Sequence, residues 1–272
     1  MIMGCNHDCA SCSGNCNGGE IQKLILNDKS SIKCIIGVLS GKGGVGKSLV
    51  TSLAASKLAQ LGYKVGVLDA DITGPSMART FGIKDKAWQK EGLILPYTTQ
   101  KGIKVISSNM LLENDDDPIL WRGSMISSLV SQFYKDVLWE ELDVLLIDMP
   151  PGTGDVSLTT FQMIPLDGLV IVTTPQELVS MIVKKSINMA ETMNIPLLGV
   201  VENMSYVVCP TCNESIYIYG NKDNQEYYGH PILGKIPFDG ELTRLVDGGK
   251  VEDFNKDYVD ELVNQIQGKM RE

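Results

Sequence analysis

Short apolar runs alternate along this chain with longer segments of helical periodicity. The runs are nearly continuous in apolar residues, which is typical of strands whose two faces are both covered. We predict strands at Cys34–Leu39, Lys64–Leu68, Asp143–Ile147, Leu169–Thr173, Leu197–Val201 and Ile232–Ile236. Helical patterns lie between them, at Lys47–Leu61, Ile119–Leu142, Gln176–Met193 and Asn255–Met270. This alternation predicts an α/β fold with a doubly wound, mainly parallel sheet and helices on both faces.

Two stretches do not follow this alternation. Leu93–Val105 is compatible with a hairpin inserted on the scaffold. Residues 1–30 hold four cysteines and begin with a stretch that has almost no large apolar side chains, so we expect a flexible N-terminal segment unless a metal organises it. The remaining residues, 31–272, form one predicted domain.

Composition limits the function classes. The 272 residues are 43% apolar and 21% charged, and the formal net charge is 24 − 33 = −9. That charge makes broad binding to nucleic acid unfavourable. No apolar run has the roughly 18 residues that a membrane span needs, and Met1–Cys16 lacks the features of a secretory signal. We expect a cytoplasmic protein with neither a nucleic acid nor a membrane as partner.

A glycine-rich segment follows the first predicted strand and precedes a helix. It matches the phosphate-loop pattern G-x-x-x-x-G-K-[ST] at every fixed position, through Gly41, Lys42, Gly43, Gly44, Val45, Gly46, Lys47 and Ser48. Backbone amides of such a loop bind phosphate oxygens at a helix N-terminus. We expect Lys47 to reach the β- and γ-phosphates of ATP and the Ser48 hydroxyl to bind Mg²⁺.

Acidic residues follow two of the other predicted strands. Asp148 ends an apolar strand, where a phosphate-loop enzyme needs a carboxylate for its Mg²⁺. Gly152 follows where a γ-phosphate would meet a backbone amide. Asp69 and Asp71 come just after the second strand, and we assign the orienting of the attacking water to Asp71. For Asp69, the same water-orienting role and a non-catalytic role in the turn or near Mg²⁺ both stay open.

Lys42 is a second lysine that the loop pattern does not require. Inside its own loop it would crowd Lys47, so we predict that it points outward and completes the site of a second copy, as an arginine finger does in trans. This predicts a homodimer that is bridged by nucleotide.

Six of the seven cysteines lie in two groups. Cys209 and Cys212 form a C-x-x-C pair in a segment with hairpin character. A tetrahedral zinc or a [4Fe–4S] cluster commonly takes four cysteines, so one pair is two ligands short. A two-fold dimer supplies 2 × 2 = 4. Zinc in a half-site and a redox dithiol are the alternatives.

The other group is complete within one chain. Cys5, Cys9, Cys12 and Cys16 are enough for four-cysteine ligation of a second [4Fe–4S] cluster, with zinc as the alternative because spacing does not select the metal. His7 lies among them as a substitute ligand. Cys34 begins a strand and is predicted to be a buried small apolar side chain.

Several motifs together resemble one family. GKGGVGKS with its additional lysine, LDADITGPS and DMPPGTGD are similar to the deviant-Walker NTPases that include MinD, ParA and nitrogenase iron protein. The segments at 69–76, 120–123, 148–155, 202–205 and 209–212 more narrowly resemble the Mrp/ApbC-type iron–sulfur cluster carriers. One departure is Ser124, where that family's W-R-G-P-M stretch has proline.

The resemblance implies further roles for individual residues. Lys42 would be the signature lysine that acts across the dimer, and Asp71 the water-orienting residue. Asn203 would recognise adenine, with Pro237 beside the base. The Cys209 and Cys212 pairs would hold the bridging cluster. The implied function is a slow, switch-like ATPase that assembles a labile [4Fe–4S] cluster and transfers it to apo-proteins.

Three other functions are compatible with the phosphate loop. One is a MinD- or ParA-like positioning ATPase, although the C-terminal helix mixes charges of both signs and suits an anionic surface poorly. Another is an ATP-driven electron donor, although that class draws its two cysteines from separate places in the chain. The third is a zinc-binding scaffold whose loop only binds nucleotide.

Overall fold

Apolar strands of the predicted kind form the centre of a ten-stranded sheet in the computed structural model, which describes residues 23–111, 123–152, 154–219 and 225–271. Its strands are β1 (Ser31–Ser40), β2 (Val65–Asp69), β5 (Tyr97–Thr98), β6 (Lys104–Ile106), β7 (Glu141–Asp148), β8 (Gly168–Thr173), β9 (Leu197–Val208), β10 (Ser215–Ile216), β11 (Glu226–Tyr227) and β12 (His230–Phe238). A separate two-stranded sheet contains β3 (Trp88–Lys90) and β4 (Leu93–Leu95).

Seven α-helices pack around the strands in the described part of the chain. They are α1 (Lys47–Gln60), α2 (Met77–Thr80), α3 (Gly123–Lys135), α4 (Asp155–Met163), α5 (Glu177–Thr192), α6 (Gly240–Asp247) and α7 (Asp260–Arg271). Single 3₁₀ turns lie at Ser108–Met110 and Val251–Asp253. The predicted α/β class is therefore confirmed, with helices following most of the long strands.

The sheet order explains where a ligand can bind. The strands run β11-β12-β9-β8-β1-β7-β2-β6-β5, and β10 pairs with β9. The pairs from β12 to β6 are all parallel. Strand β1 lies between β7 and β8, while the next strand in sequence, β2, lies on the far side of β7. In such a sheet the crevice outside the carboxyl ends of the strands, where the order reverses, is the place for a ligand.

One predicted helix is shorter in the structure. The apolar period of Ile119–Leu142 predicts helix throughout, but within the described residues α3 ends at Lys135. Tertiary bonds stop it: the amide of Ile94 donates to the Asp136 carbonyl, the amide of Leu138 donates to the Ile94 carbonyl, and the Asn27 amide bonds the carbonyl of Lys135. The prediction was wrong here because these partners are distant in sequence.

The hairpin predicted within Leu93–Val105 is present as the β5–β6 pair, but its description as an insertion is wrong. Strand β4 pairs antiparallel with the upstream β3, and β5 pairs antiparallel with β6. Strand β6 additionally pairs parallel with β2, so it extends the main sheet and is not an insertion.

The end of the predicted N-terminal segment contacts the domain. Residues 23–30 were assigned to that segment, yet the amide of Leu24 donates to the Met163 carbonyl at 2.7 Å. The Lys23 ammonium donates to the carbonyls of Phe161 and Ile164. Residues 1–22 lie outside the described residues. Among the described helices, none combines the length and apolar character that crossing a membrane requires.

Gly66 marks a position where the core has no room for a side chain. It lies in β2, and a Cβ atom built there would meet Leu142 Cδ1 at 2.5 Å and Leu145 Cδ1 at 2.9 Å. We predict that Gly66→Ala lowers the free energy of unfolding by about 1–3 kcal/mol through overpacking, as measured by denaturant titration.

The matched control is Gly268→Ala. Gly268 lies in α7, and a Cβ atom there meets no atom within 4 Å. This exchange is expected to stabilise the protein by up to about 1 kcal/mol. Equal effects of the two substitutions would contradict the packing argument.

Candidate functional site

The phosphate loop leaves the carboxyl end of β1 and turns into α1. Gly44 and Gly46 have φ of +81° and +88°, a region that side chains with a Cβ disfavour. Gly46 is also the N-cap of α1 and directly contacts Asn203, because a Cβ atom there would lie 2.0 Å from Asn203 Nδ2. Around Gly43 and Gly44 there is open space within 4 Å. The loop therefore forms an open cradle at a helix N-terminus, which suits an anionic ligand.

Lys47 is the first residue of α1 and is buried. Its ammonium lies 2.8 Å from Asp148 Oδ2, but the two atoms are not aligned for a hydrogen bond, and it has no hydrogen-bond partner in the described part of the chain. The ion pair with Asp148 offsets part of the cost of burying this ammonium, but its three N–H groups still lack well-aligned acceptors. Phosphate oxygens in the cradle would supply the missing acceptors, so the residues present fit a nucleotide.

Three side chains contact the Asp148 carboxylate at the end of β7, namely those of Lys47, Ser48 and Thr51. The Ser48 hydroxyl donates to Oδ2 at 2.6 Å, and the Thr51 hydroxyl donates to Oδ1 at 3.0 Å. The carboxylate is fully buried. A serine hydroxyl and a carboxylate oxygen in contact are hard oxygen ligands of the kind that Mg²⁺ prefers. The predicted pair for Mg²⁺, Ser48 and Asp148, is therefore brought together.

Asp69 is also fully buried, but its carboxylate is committed to the loop that follows β2. Its Oδ2 accepts from the amides of Ser76 and Met77, both at 3.1 Å, and from the Ser107 hydroxyl at 2.9 Å. Burial, and then the nearby charge of Asp148, raise the pKa of Asp69 to about 7. Of the two roles left open by the sequence, the structure supports the one in the turn.

Asp71 stands nearer to the open side of the site. Its Oδ2 lies 3.8 Å from the Lys47 ammonium, and 14% of its side chain is exposed. Burial raises the pKa of Asp71, and the positive charge of Lys47 opposes this rise. Asp71 is therefore a carboxylate that lies close to Lys47 and is partly exposed, and its role in orienting water stays a prediction.

Two further loop predictions have different outcomes. Lys42 is exposed at the turn, and its action across a dimer stays a prediction. The amide of Gly152, in contrast, donates to the Ser40 carbonyl at 2.7 Å. In this conformation it binds the chain itself, so a contact with a γ-phosphate would require this bond to break.

Asn203 lies beneath the loop. Its Nδ2 donates to the Val45 carbonyl at 2.9 Å, and the side chain is buried. Asn203 pairs with Ile236 across β9 and β12, which places the buried Pro237 next to it. The two residues are thus neighbours, and their contact with adenine stays a prediction.

Cys209 and Cys212 lie in a hairpin that continues β9. Val208 pairs with Ser215, the amide of Cys209 donates to the Glu214 carbonyl, and the amide of Asn213 donates to the Cys209 carbonyl. The hairpin character predicted for this pair is confirmed. Cys212 is exposed and Cys209 half-buried, and hydrogen bonds from the amides of Cys212 and Thr211 lower the pKa of the Cys209 thiol.

The remaining cysteines comprise one that is buried in the sheet and four that lie outside the described residues. Cys34 is buried in β1, as predicted. Cys5, Cys9, Cys12 and Cys16 lie outside the described residues. Within those residues, no group of three or more histidine, cysteine or acidic side chains is placed to hold a metal ion. The Cys209 and Cys212 pair is therefore incomplete on its own in the described part of the chain.

Some residues of the site were not singled out from the sequence. Thr51 lies one helical turn after Lys47, so its spacing was an available signal. Ser107, which bonds Asp69, had no such signal because β6 reaches β2 only through sheet pairing.

Known proteins similar to this chain agree with the geometry of the loop. The model for the family of NUBPL iron-transfer P-loop NTPases matches residues 31–271. An iron–sulfur cluster carrier protein of Clostridium perfringens is 50% identical over 256 residues, 90% of this chain and 89% of the relative. A nucleotide-binding protein of Archaeoglobus fulgidus, solved in complex with ADP, is 44% identical with a TM-score of 0.75, covering 84% of this chain and 90% of that one.

A more distant structure shows the fold alone. The cell division ATPase MinD of Pyrococcus furiosus superposes with a TM-score of 0.62 at 20% identity, over 87% of this chain and 99% of its own.

The resemblance to iron–sulfur cluster carriers that the motifs indicated is confirmed by the family match and by the identity of the relatives. This chain belongs to the family of NUBPL iron-transfer P-loop NTPases.

Proposed function

We propose that this protein is an ATP-dependent carrier that holds a labile [4Fe–4S] cluster between the cysteine pairs of two copies and transfers it to apo-proteins. One observation carries the proposal: a nucleotide loop with an unsatisfied buried lysine and a surface hairpin with only two thiols occur in one domain. The relatives named as iron–sulfur cluster carriers support the choice of cargo.

The nucleotide half of the mechanism follows from the loop. ATP phosphates in the cradle receive hydrogen bonds from the loop amides and from Lys47, whose ammonium then turns from Asp148 to the phosphates. Ser48 and Asp148 would hold Mg²⁺, which supplies charge neutralisation at the β- and γ-phosphates when bound. Nucleotide binding thus supplies the hydrogen-bond acceptors that the Lys47 ammonium lacks in the nucleotide-free protein.

Hydrolysis needs two further groups. Asp71 faces the loop and is partly exposed, so it can accept a hydrogen bond from the attacking water and orient it. Lys42 is exposed, so its charge is available to the phosphates bound by a second copy. Because part of the catalytic charge comes from the partner, turnover depends on dimer formation and is slow and switch-like.

The cargo half requires the same dimer. Two cysteines from each copy give the four thiolates that a [4Fe–4S] cluster commonly takes. Apolar side chains around the pair are unusually exposed: Val208 by 42%, Ile216 by 51% and Ile218 by 58%. A patch of this kind marks an interaction site, and a second copy that brings its own cysteines would cover it.

Lys42→Ala tests the action of this lysine across the dimer. We expect ATPase activity to fall about tenfold or more, since a cation supplied in trans stabilises transition-state charge. Nucleotide affinity should change much less, because Lys47 and the loop amides remain. Phosphate release and binding of a fluorescent nucleotide measure the two quantities.

The control for this experiment is Lys29→Ala. Lys29 is an exposed lysine that pairs with Glu91 at 2.6 Å, away from the loop. Both quantities should keep their wild-type values. Unchanged turnover in the Lys42 variant would exclude a role in hydrolysis.

The double variant Cys209→Ser/Cys212→Ser tests the cargo site. After anaerobic reconstitution with iron and sulfide, we expect the wild type to bind iron and labile sulfide as a cluster-bridged dimer. The double variant should lose the bridging cluster while cysteines near the N-terminus still bind metal. Iron, sulfide and zinc analysis is combined with light scattering to measure the mass of the assembly.

Cys34→Ala serves as the matched control, since Cys34 is buried in β1 and should not affect the cluster. A bridging cluster in the double variant would show that other ligands hold it. Zinc in place of iron and sulfide in anaerobically purified wild type would favour the scaffold function.

A further inference from the structure

Strand β9 connects the phosphate loop directly to the cysteine hairpin. Asn203, in the middle of the strand, donates to the Val45 carbonyl of the loop. The strand ends at Val208, and Cys209 is the next residue. A displacement of the loop can therefore reach the thiols through this hydrogen bond and the six residues of chain from Asn203 to Cys209.

A bulge interrupts the pairing of β9 with β12 between Asn203 and Cys209. Strand β12 advances by two residues from Ile236 to Phe238, while β9 advances by four from Asn203 to Val207. Met204 has a φ of +55°, a conformation uncommon for a residue with a side chain. Bulges of this kind bend a strand and re-aim the residues that follow. The bulge thus sets the direction in which the hairpin leaves the sheet.

A buried carboxylate holds the bulge in place. Glu202 is fully buried, and the hydroxyl of Ser205, three residues later, donates to it across the bulge. The hydroxyl of Tyr227 in β11 donates to the other carboxylate oxygen at 2.7 Å. A buried carboxylate is costly unless it is hydrogen-bonded, so these two bonds restrict the shapes that the bulge can take.

We propose that Glu202, Ser205 and Tyr227 are positioning residues that transmit the state of the phosphate loop to the cysteine pair through the β9 bulge. The proposal rests on the proposed function, because it assumes that the loop binds nucleotide and that the pair binds cargo. Nucleotide binding changes the conformation of the loop at Val45 and Gly46, and Asn203 moves with the Val45 carbonyl. The bulge, which Glu202, Ser205 and Tyr227 hold in place, passes this movement to the hairpin.

Thermodynamic linkage makes this proposal quantitative. If nucleotide changes the affinity of the thiols for a metal, then that metal changes the affinity for nucleotide by the same factor. Coupling between two sites in one protein typically lies in the range of about 5- to 150-fold. A protein that must hold and later release a cluster requires a link of this kind.

A second route exists on the surface and provides a control. A Cβ atom on Gly41 would lie 2.4 Å from Ile182 Cγ2, so α5 abuts the loop. Near the start of α5, Gln176 Nε2 donates to the Tyr219 hydroxyl at 2.8 Å, and this bond is exposed. Exposed bonds are weaker constraints than buried ones, so the β9 route should carry the effect.

The test measures alkylation rates of the thiols with and without nucleotide. Full-length, reduced, metal-free protein is labelled with isotope-coded iodoacetamide, and mass spectrometry follows the peptide that contains Cys209 and Cys212. We expect ADP or ATP with Mg²⁺ to change its labelling rate several-fold in the wild type. In Tyr227→Phe and in Ser205→Ala this ratio should fall towards one, with nucleotide affinity within about twofold of the wild type.

Tyr219→Phe removes a hydroxyl from the surface route and should keep the wild-type ratio. Unfolding temperatures confirm that each variant is folded, and Ser205→Ala carries the test if Tyr227→Phe does not fold. Contact between two copies could also shield the thiols, but that shielding would survive the loss of a buried hydroxyl.

Three results would overturn the proposal. They are a labelling ratio of one in the wild type, the wild-type ratio in both Tyr227→Phe and Ser205→Ala, or a loss of the ratio in Tyr219→Phe as large as in those two variants. Nucleotide affinity is measured in the same samples. A protein that binds no nucleotide contradicts the proposed function, whereas binding without an effect on the thiols contradicts this inference alone.

Discussion

The organisation of this protein depends on buried charge at the carboxyl ends of its central strands. Asp69 and Asp148 are both fully buried at paired positions of β2 and β7, and the ammonium of Lys47, from α1, lies 2.8 Å from Asp148 Oδ2. Two carboxylates and one ammonium cannot all be satisfied by one another in a medium of low polarity. The chain therefore surrounds Asp69 with amides and hydroxyls and leaves the ammonium for a ligand.

The hydrogen-bond partners of these groups divide the cluster into a structural part, Asp69, and a ligand-binding part, Asp148 and Lys47. Asp69 has a complete set of donors and fixes the loop after β2. Asp148 keeps Ser48 within 2.6 Å and so holds the hard oxygen ligands together. Lys47 lacks a hydrogen bond, and its need for acceptors favours the nucleotide-bound state. Binding energy is thus available to change the conformation of the loop and of the segments that contact it.

Much of this arrangement was predictable from local patterns. The phosphate loop follows from the spacing of Gly41, Gly46 and Lys47, because a tight turn before a helix can be made by few sequences. Continuous apolar runs predicted the central strands, since burial on both faces excludes polar positions. The end of α3 was not predictable, because Ile94 and Asn27 stop the helix from distant parts of the chain.

Spacing between near neighbours was enough to predict the class of fold, the phosphate loop and the family. Three features came from tertiary packing alone: Asp69 is the aspartate that supports the turn, the Gly152 amide donates to the Ser40 carbonyl, and Asn203 joins the loop to the strand of the cysteine hairpin. Those outcomes depend on which strands pair and on which buried polar groups find partners. Pairing of this kind brings together residues far apart in sequence, so no local pattern records it.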